Sequence, residues 1–358
     1  MINSSTEPPV FRYRLSKEHP VPTHAPTVAE LSEKALLARI FPRLGAPKAL
    51  LGPGDDAAVV AAPDGRTVIS VDTLVQDADF RLSWPSGYRT SGYDVGWKCA
   101  AQNLSDINAM GAVATSLVVS LTLPGSTEVA WVEDLADGLA SAISFLGADG
   151  CSVVGGDLGR GREIVVTAAV TGSLEGRAPV LRSGARPGDV VAVAGILGHA
   201  AGGLAVLESS EDHAVLHTDP TAENLVLLEL AAAQCRPRPP LARGPRAAAA
   251  GATAMLDISD GLVRDAGRMA AASGVAIDLN PAALARRAEP LQAAAVRLGA
   301  DALDWVLGGG EDHGLLAAFP AGTVLPPGFE QLGTVRDGAG VTLGGAVPRT
   351  IGWDHFAG

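Results

Sequence analysis

Short runs of apolar, β-branched residues alternate with segments of helical spacing through most of this chain. Strand-like runs cover 66–75, 114–124, 163–174, 190–197 and 252–259. Segments of helical spacing cover 92–111, 128–146, 222–235 and 261–273. Because this alternation occurs in both halves of the chain, the sequence predicts an α/β (α+β) fold.

The stretch RAPVLRSGARPGD, residues 177–189, separates the two halves. Its Arg, Pro and Gly content is typical of a connection between domains. We expect a flexible N-terminal tail over 1–26, an N-terminal domain over 27–178 and a C-terminal domain over 179–358. The tail is polar and Pro-punctuated and has no signal-peptide core.

The charge balance narrows the range of partners. The chain has 27 basic and 39 acidic residues, a net charge of −12, and no block of Lys or Arg. This composition disfavours nucleic acid and anionic membrane as partners. Cys99, Cys151 and Cys235 lie far apart and show no zinc-binding spacing, which favours reduced thiols in a cytoplasmic protein. We find no apolar run of the roughly 20 residues that a membrane-spanning helix needs.

Acidic residues recur where predicted strands run into glycine turns. The set comprises Asp55 and Asp56 in LGPGDDAAVV, Asp72 in a strand, Asp106 in a helix, Asp157 after two glycines, Asp257 and Asp260 in LDISDGL, and Glu311 and Asp312 after three glycines. An acid in a single glycine turn is usually only a turn residue. Several such sites in one chain indicate that divalent cations hold the carboxylates together.

The type of donor favours magnesium. Zinc sites usually contain His or Cys, and the alternating acids of a calcium loop are missing from this sequence. Mg²⁺ needs only one or two carboxylates and shares its remaining ligand positions with phosphate oxygens. There is no P-loop and no protein-kinase motif set. Ser259 and Asp260 precede a predicted helix, where backbone N–H groups assist an anion or simply form an N-cap.

Eight motifs in this order resemble the thiamine monophosphate kinase family, of the superfamily that includes aminoimidazole ribonucleotide synthetase. They are GPGDDAAVV, SVDTLVQDADF, KCAAQNLSDINAMGA, VVGGDLGRG, LRSGARPGD, MLDISDGL, GGGEDH and GWDHF, spread from about 46 to 356. The set is specific, although no single motif is.

The resemblance implies a two-domain synthetase-like fold and a homodimer. The N-terminal sheets would pair across the dimer into a barrel, each beside a C-terminal α/β sandwich domain. It also implies the reaction: ATP, with several Mg²⁺ ions, phosphorylates thiamine monophosphate directly to thiamine diphosphate. Such phosphoryl transfer depends on alignment and charge neutralisation.

The resemblance also implies roles for individual residues. The metal ligands would be Asp56, Ser70, the Val71 carbonyl, Asp72, Asp106, Asp157, Asp257 and Asp260. The ATP-binding residues would be Gly156, Asp157, Arg182 and Ser259. The substrate-binding residues would be Asp79, Glu311 and Trp353, and no side chain would act as a catalytic acid, base or nucleophile.

Some assignments have simpler alternatives. Arg182 would equally well hold the interdomain turn in place. Trp353 would equally well be a packing residue of the terminal lobe. We expect Lys98 in a structural ion pair or on a solvated face. Asp79 stands where the family usually has a histidine, so we expect it to face the thiamine cation or to mark a different substrate. The longer loop over 83–94 is a candidate lid.

Three other functions fit the same acids. One is another ATP-dependent enzyme of the superfamily with a different small phosphate substrate. The second is a metal-dependent phosphatase, because carboxylates and Mg²⁺ also hydrolyse phosphate esters. The third is a non-catalytic module that binds ATP and Mg²⁺.

Overall fold

The computed structural model describes residues 25–51, 58–219, 221–350 and 352–353. Asp56 lies outside these residues, as does all of the expected N-terminal tail except its last two positions. The end of the GWDHF motif is also outside them.

The first part of the chain forms a four-stranded sheet with two long helices on one face. The elements are α1 (Glu33–Ile40), β1 (Val68–Val75), α2 (Gly92–Ala109), β2 (Val113–Leu123), α3 (Val129–Phe145), β3 (Val153–Arg160) and β4 (Val165–Ser173). The strand order is β1-β4-β2-β3. β4 is antiparallel to both neighbours, whereas β2 and β3 are parallel.

Alternation along β1 directs successive side chains to opposite faces of this sheet. Ser70, Asp72 and Leu74 face the helices, and Leu74 is buried. Ile69 and Val71 point the other way and are 70% and 60% exposed. The sheet therefore has one covered face and one open apolar face.

The second part of the chain forms a six-stranded sheet. Its strands are β5 (Val190–Ala194), β6 (Ala254–Ile258), β7 (Ala276–Leu279), β8 (Gly314–Phe319), β9 (Phe329–Arg336) and β10 (Gly340–Leu343). Its helices are α4 (His199–Glu208), α5 (His213–Thr218), α6 (Ala222–Cys235), α7 (Arg243–Ala249), α8 (Leu262–Ser273), α9 (Pro281–Ala288), α10 (Gln292–Arg297) and α11 (Ala302–Gly308). The strand order is β10-β7-β9-β5-β8-β6, and most pairs are antiparallel.

This second sheet is covered on both faces, and every residue of β6 and β8 is buried. One face, including Val193 and Leu316, packs with α6, α8 and α9. The opposite face, including Met255 and Phe319, packs with α7 and the end of α2. Each half thus has the expected mixed α/β composition, and we propose residue 178 as the boundary between them.

Helix α2 lies between the two sheets. Ser91 caps its N-terminus by accepting a hydrogen bond from the Asp94 N–H, and the Asp94 carboxylate accepts one from the Ser91 N–H in return. Such a capping box satisfies two backbone donors that a helix start leaves unpaired. Sixteen of the eighteen residues of α2 are buried. Trp97 Nε1 donates to the Pro237 carbonyl, which ties the helix to the second part of the chain.

The helical region before β1 is divided at Leu31, where a single 3₁₀ turn ends and Ser32 caps α1 separately. The long loop that we expected as a candidate lid is held at Ser86, whose N–H donates to Leu207 and whose carbonyl accepts from His213. Its role as a lid stays a prediction.

The fold bears on the cysteines and on membrane crossing. The three cysteines are free and buried, as expected. Among the helices of the described ranges, none combines the length and apolar character required to cross a bilayer.

Candidate active site

Two carboxylates from the first part of the chain face the gap between the sheets. Asp72 projects from the covered face of β1, and Asp106 lies on α2 opposite that strand. Ser70 Oγ donates to Asp106 Oδ2 at 2.5 Å. Strand alternation therefore explains why Ser70 and Asp72 lie on the same side, and why Val71 directs its side chain away from the site.

The second sheet contributes Asp257, from β6. Its side chain is almost fully buried, and Asp257 Oδ2 lies 3.2 Å from His313 Nδ1. His313 precedes β8, the neighbour of β6, and has a left-handed backbone with φ of 52°. The carboxylate–imidazole contact thus joins two adjacent strand ends.

The three glycines before Glu311 allow two loops to come close together. A Cβ on Gly310 would lie 2.3 Å from the Ser259 carbonyl oxygen, so a side chain there would displace the backbone. Glu311 N–H donates to that same carbonyl at 2.8 Å, with Glu311 at φ of 69°. The GGGEDH segment is therefore held against the LDISDGL segment, as a ligand site built from both would require.

Electrostatic coupling shows that acids from both sheets share this site. Burial raises the pKa of Asp72, and the nearby charges of Asp257 and Glu311 raise it further, while His313 opposes the shift. Burial and the charge of Asp257 raise the pKa of Asp106 to about 6. Carboxylates that raise each other's pKa lie close enough to favour a shared cation.

His313 lies beside this cluster. Burial by itself lowers the pKa of His313, but its hydrogen bond to Asp257 and the charges of Asp257 and Glu311 outweigh burial and raise it. Its Nε2 is buried and has no hydrogen-bond partner among the described residues. Apart from its place in GGGEDH, no sequence pattern singles out His313.

Asp260 already has a partner in the protein. Its carboxylate pairs with Arg268 at 2.5 Å, and its backbone N–H donates to Asp265 Oδ2. Neither Ser259 nor Asp260 caps helix α8, because Gly261 occupies the N-cap position with φ of 115°. The Asp260 N–H is thus already bonded to a carboxylate and is not open to an anion as expected.

The predicted substrate residues Asp79 and Glu311 meet at Lys98, on α2. The Lys98 ammonium forms an ion pair with Glu311 Oε2 and donates to the Asp79 carbonyl at 3.2 Å. The Asp79 carboxylate accepts the Val75 N–H at 2.7 Å, so it closes a turn at the end of β1. The expected structural ion pair of Lys98 is present, and it joins the two halves of the chain.

Asp157 lies away from the acid cluster. The register places Asp72, Ala168, Val119 and Gly156 in one row across the sheet. Three strand spacings amount to about 14 Å. Asp157 is the next residue after Gly156, so it faces the open side of the sheet. Its role as a metal ligand and its contact with ATP stay predictions.

Three further assignments lie at the edge of the site. Arg182 is exposed, and its carbonyl accepts from Ser273 Oγ at 3.3 Å. The backbone N–H of Trp353 donates to the Asp260 carbonyl, while the Trp353 residue remains 61% exposed. Asp312 caps α4 by accepting the Ala200 N–H, and burial raises its pKa to about 6. Asp312 is therefore structural, unlike its neighbour Glu311.

The cluster does not form a finished metal site within the described part of the chain. No group of three acidic, His or Cys side chains there is close enough to hold a metal ion. The assigned ligand Asp56 belongs to residues 52–57, outside the described ranges.

Comparison with known proteins identifies the family. Residues 54–174 match the N-terminal domain of AIR synthase related proteins, and residues 186–324 match the C-terminal domain. The thiamine-monophosphate kinase of Mycobacterium tuberculosis (strain ATCC 25618 / H37Rv) is 45% identical over 345 residues, which cover 95% of this chain and 96% of that protein.

Solved structures agree with this identification. The thiamine-monophosphate kinase of Stenotrophomonas maltophilia K279a has a TM-score of 0.69 and 30% identity, covering 91% of this chain and 99% of that one. AaThiL complexed with AMPPCP and TMP has a TM-score of 0.68 and 30% identity, covering 91% and 98%. Sequence and fold together show that the chain belongs to the thiamine-monophosphate kinase family.

Proposed function

We propose that this chain transfers the γ-phosphoryl group of ATP to thiamine monophosphate, which yields thiamine diphosphate and ADP. The observation that carries the proposal is the meeting of Asp72 and Asp106, from the first part of the chain, with Asp257, from the second, in one electrostatically coupled cluster. Similarity to AaThiL, whose complex contains AMPPCP and TMP, supports the choice of both substrates.

The reaction requires no side chain to remove a proton. A terminal oxygen of the thiamine monophosphate phosphate attacks the γ-phosphorus, and the bond from that phosphorus to the β,γ-bridging oxygen breaks. ADP leaves with that electron pair. A phosphate monoester has a second pKa near 6, so the attacking oxygen is already ionised at about pH 7. Alignment and neutralisation of charge are then the main tasks of the protein.

The residues present fit Mg²⁺, which we propose as the resident metal. The donors are carboxylate, hydroxyl and carbonyl oxygens, the types that magnesium prefers. Because Mg²⁺ needs only one or two carboxylates, we propose several ions that share Asp72, Asp106 and Asp257. Further assigned ligands are Ser70, the Val71 carbonyl, Asp157, Asp260 and Asp56. When bound, Mg²⁺ supplies positive charge against the phosphate oxygens.

The nucleotide contact is proposed at Gly156, where two strands approach closely. A Cβ on Gly156 would lie 2.1 Å from the Val119 carbonyl oxygen, so only glycine lets the two strands approach here. The apolar groove between α1, α3 and β3, which Gly156 borders, has a volume of about 60 Å³ and is too small for a nucleotide. We therefore assign Gly156 and Asp157 to ATP outside that groove, with Arg182 and Ser259 contacting the nucleotide from the second part of the chain.

The acceptor would lie on the opposite side of the acid cluster. We assign Glu311 and Trp353 to the thiamine end, because a carboxylate and an aromatic face both favour a thiazolium cation. Asp79 borders the same region through its backbone carbonyl.

We further propose a homodimer that works in the cytoplasm, where ATP is available. Ile69, Val71 and Val118 lie on the open face of the first sheet and are 70%, 60% and 41% exposed. Such an apolar face favours association with a second copy. Light scattering on the Ile69→Glu/Val71→Glu double variant should show monomers, and an unchanged dimer would exclude this face as the interface.

The test of the function is a single incubation of the purified chain with ATP, Mg²⁺ and thiamine monophosphate. We expect thiamine diphosphate and ADP in equal amounts. Free phosphate and thiamine without ADP would indicate the phosphatase, and binding of ATP without turnover would indicate the non-catalytic module. Either of these results would refute the kinase proposal.

A further inference from the structure

Lys98 is a buried cation that holds two parts of the site together. Its side chain is only 4% exposed, whereas that of its partner Glu311 is 35% exposed. An ammonium group has three donor hydrogens. Within the described ranges, one of these hydrogens is donated to the Asp79 carbonyl, and Glu311 contributes an ion pair without a hydrogen bond. A buried charge with an unused donor is costly unless a ligand completes its shell.

A ligand would reach Lys98 from the side of Glu311. The pocket on the other side of Lys98, towards Gln234 and Cys235 of α6, has a volume of only about 10 Å³ and is too small for a phosphate group. Glu311 is the more exposed half of the ion pair. The pair therefore leaves one side from which a ligand could displace either partner.

The chemistry of the acceptor matches this pair. Thiamine monophosphate carries a thiazolium cation and a phosphate anion, joined by a two-carbon arm. Lys98 and Glu311 present one cation and one anion side by side. ATP has phosphate anions but no cationic group, so ATP at Lys98 would leave Glu311 unpaired beside it. The acceptor, not the donor, satisfies both charges.

We propose that Lys98 binds the phosphate of thiamine monophosphate by exchanging ion pairs with Glu311. In the free enzyme the two side chains neutralise each other. On binding, Lys98 turns to the acceptor phosphate and Glu311 is released to the thiazolium ring. Neither charge is left unpaired in the free or in the bound state, which offsets the cost of breaking the salt bridge of the buried Lys98. This inference rests on the proposed function.

The exchange also predicts selectivity for the phosphorylated acceptor. Thiamine itself has the cation but no phosphate, so its binding would draw Glu311 away and leave Lys98 buried without a partner. Sites built to bind a polar group reject analogues that lack it, for this reason. Lys98 is thus a substrate-binding residue that distinguishes thiamine monophosphate from thiamine.

The test is the Lys98→Met variant, which keeps a side chain of similar length and removes the charge. We expect KM for thiamine monophosphate to rise about 10- to 100-fold, the effect of a lost hydrogen bond between charged groups. KM for ATP should change less than about twofold, because Lys98 does not touch the nucleotide. Lys34→Met, on the exposed side of α1, is the matched control and should behave as wild type.

A rise in the ATP KM instead would show that Lys98 binds the nucleotide, and this would overturn the proposal. If Lys98→Met does not fold, the Glu311→Gln variant tests the exchange instead, because Glu311 is partly exposed. It should raise KM for thiamine monophosphate about tenfold and leave KM for ATP unchanged. An unchanged KM for thiamine monophosphate would contradict the exchange.

The double variant Lys98→Met/Glu311→Gln separates the exchange from a purely structural salt bridge. With exchange, both substrate contacts are lost, so KM for thiamine monophosphate should be at least as high as in either single variant. With a structural pair, removing both partners should bring KM back towards wild type. Such recovery would refute the proposal. If wild type itself forms no thiamine diphosphate, the proposed function fails instead.

Discussion

The acids on the two sides of the site differ in how their charge is balanced. On the C-terminal side, Asp257 has His313, Asp260 has Arg268 and Glu311 has Lys98. On the N-terminal side, within the described ranges, Asp72 and Asp106 have no cationic side chain bonded to them. Their balance is limited to a hydroxyl from Ser70 and to more distant charge.

This difference separates two kinds of ligand. Asp72 and Asp106 are held ready for a cation, and their pKa values are raised by burial first and by repulsion from neighbouring acids second. The C-terminal acids must exchange a protein partner before they can bind a ligand. The N-terminal side therefore favours metal binding without rearrangement, and the C-terminal side favours binding coupled to ion-pair exchange.

The largest expected effect is on turnover in Asp106→Asn. This change removes a metal-binding charge while keeping the shape of the side chain, so kcat/KM should fall by about 100-fold or more. Steady-state production of thiamine diphosphate measures it. Folding should not suffer, because the charge that is removed was repelled by its neighbours. A variant with normal activity would show that Asp106 is not a ligand.

The next effect is on stability in His313→Phe. Loss of the imidazole leaves the Asp257 carboxylate buried without its partner, which should cost about 3 kcal/mol of the free energy of unfolding. Urea denaturation without Mg²⁺ measures this cost. Asp106→Asn serves as the contrast and should be as stable as wild type or more so. Equal losses in the two variants would remove the distinction between the two sides.

A smaller effect should appear as pH is lowered from 7.5 to 5.5 without metal. The pKa of Asp106, about 6, is higher in the folded protein than the usual value, so the folded state binds this proton more tightly. Stability should therefore increase as pH falls through 6, by roughly 1–2 kcal/mol. His213, whose pKa burial lowers, opposes this trend.

Asp106→Asn should remove only part of this pH dependence, because burial also raises the pKa values of Asp265 and Asp312 to about 6. If the wild-type protein lost stability over the same pH interval, the pKa of Asp106 would not be raised in the folded state as described. Added Mg²⁺ should reverse the slope for wild type, because the metal binds the ionised form.

The smallest effect is expected for Arg268→Met. Arg268 pairs with Asp260 and with Asp265, but its side chain is 38% exposed, so water screens part of the interaction. A loss of about 1 kcal/mol in the free energy of unfolding is expected. Arg286→Met, at an exposed position of α9, provides the comparison. A loss as large as that of His313→Phe would place Arg268 among the buried pairs.

Much of the architecture was predictable from local pattern. Alternating apolar residues marked β1, β2 and β4, and helical spacing with end signals marked α2, α3 and α8. Strand alternation also fixed which side chains of β1 face the helices. The antiparallel arrangement of most strand pairs was not predictable, because it depends on contacts between distant segments.

The acid cluster was only partly predictable. The recurrence of acids in glycine turns indicated Asp72, Asp106 and Asp257 together, but not the partners of the C-terminal acids. Lys98 stands 213 positions before Glu311 in the sequence, so only the fold reveals their ion pair. His313 was overlooked because an imidazole without a metal-binding spacing gives no signal. Asp312 and Glu311 are adjacent acids, and no local pattern shows that Asp312 caps α4 while Glu311 pairs with Lys98.

Helix α2 carries both Lys98 and Asp106, and this fixes a length. Eight residues at the helical rise correspond to about 12 Å along the axis. If the first residue marks the acceptor phosphate and the second the metal, one helix fixes the spacing of their two backbone anchors. Neither anchor can shift relative to the other without a change of helical register. The alignment of acceptor and metal is then set by the helix itself, independently of how the two halves of the chain move.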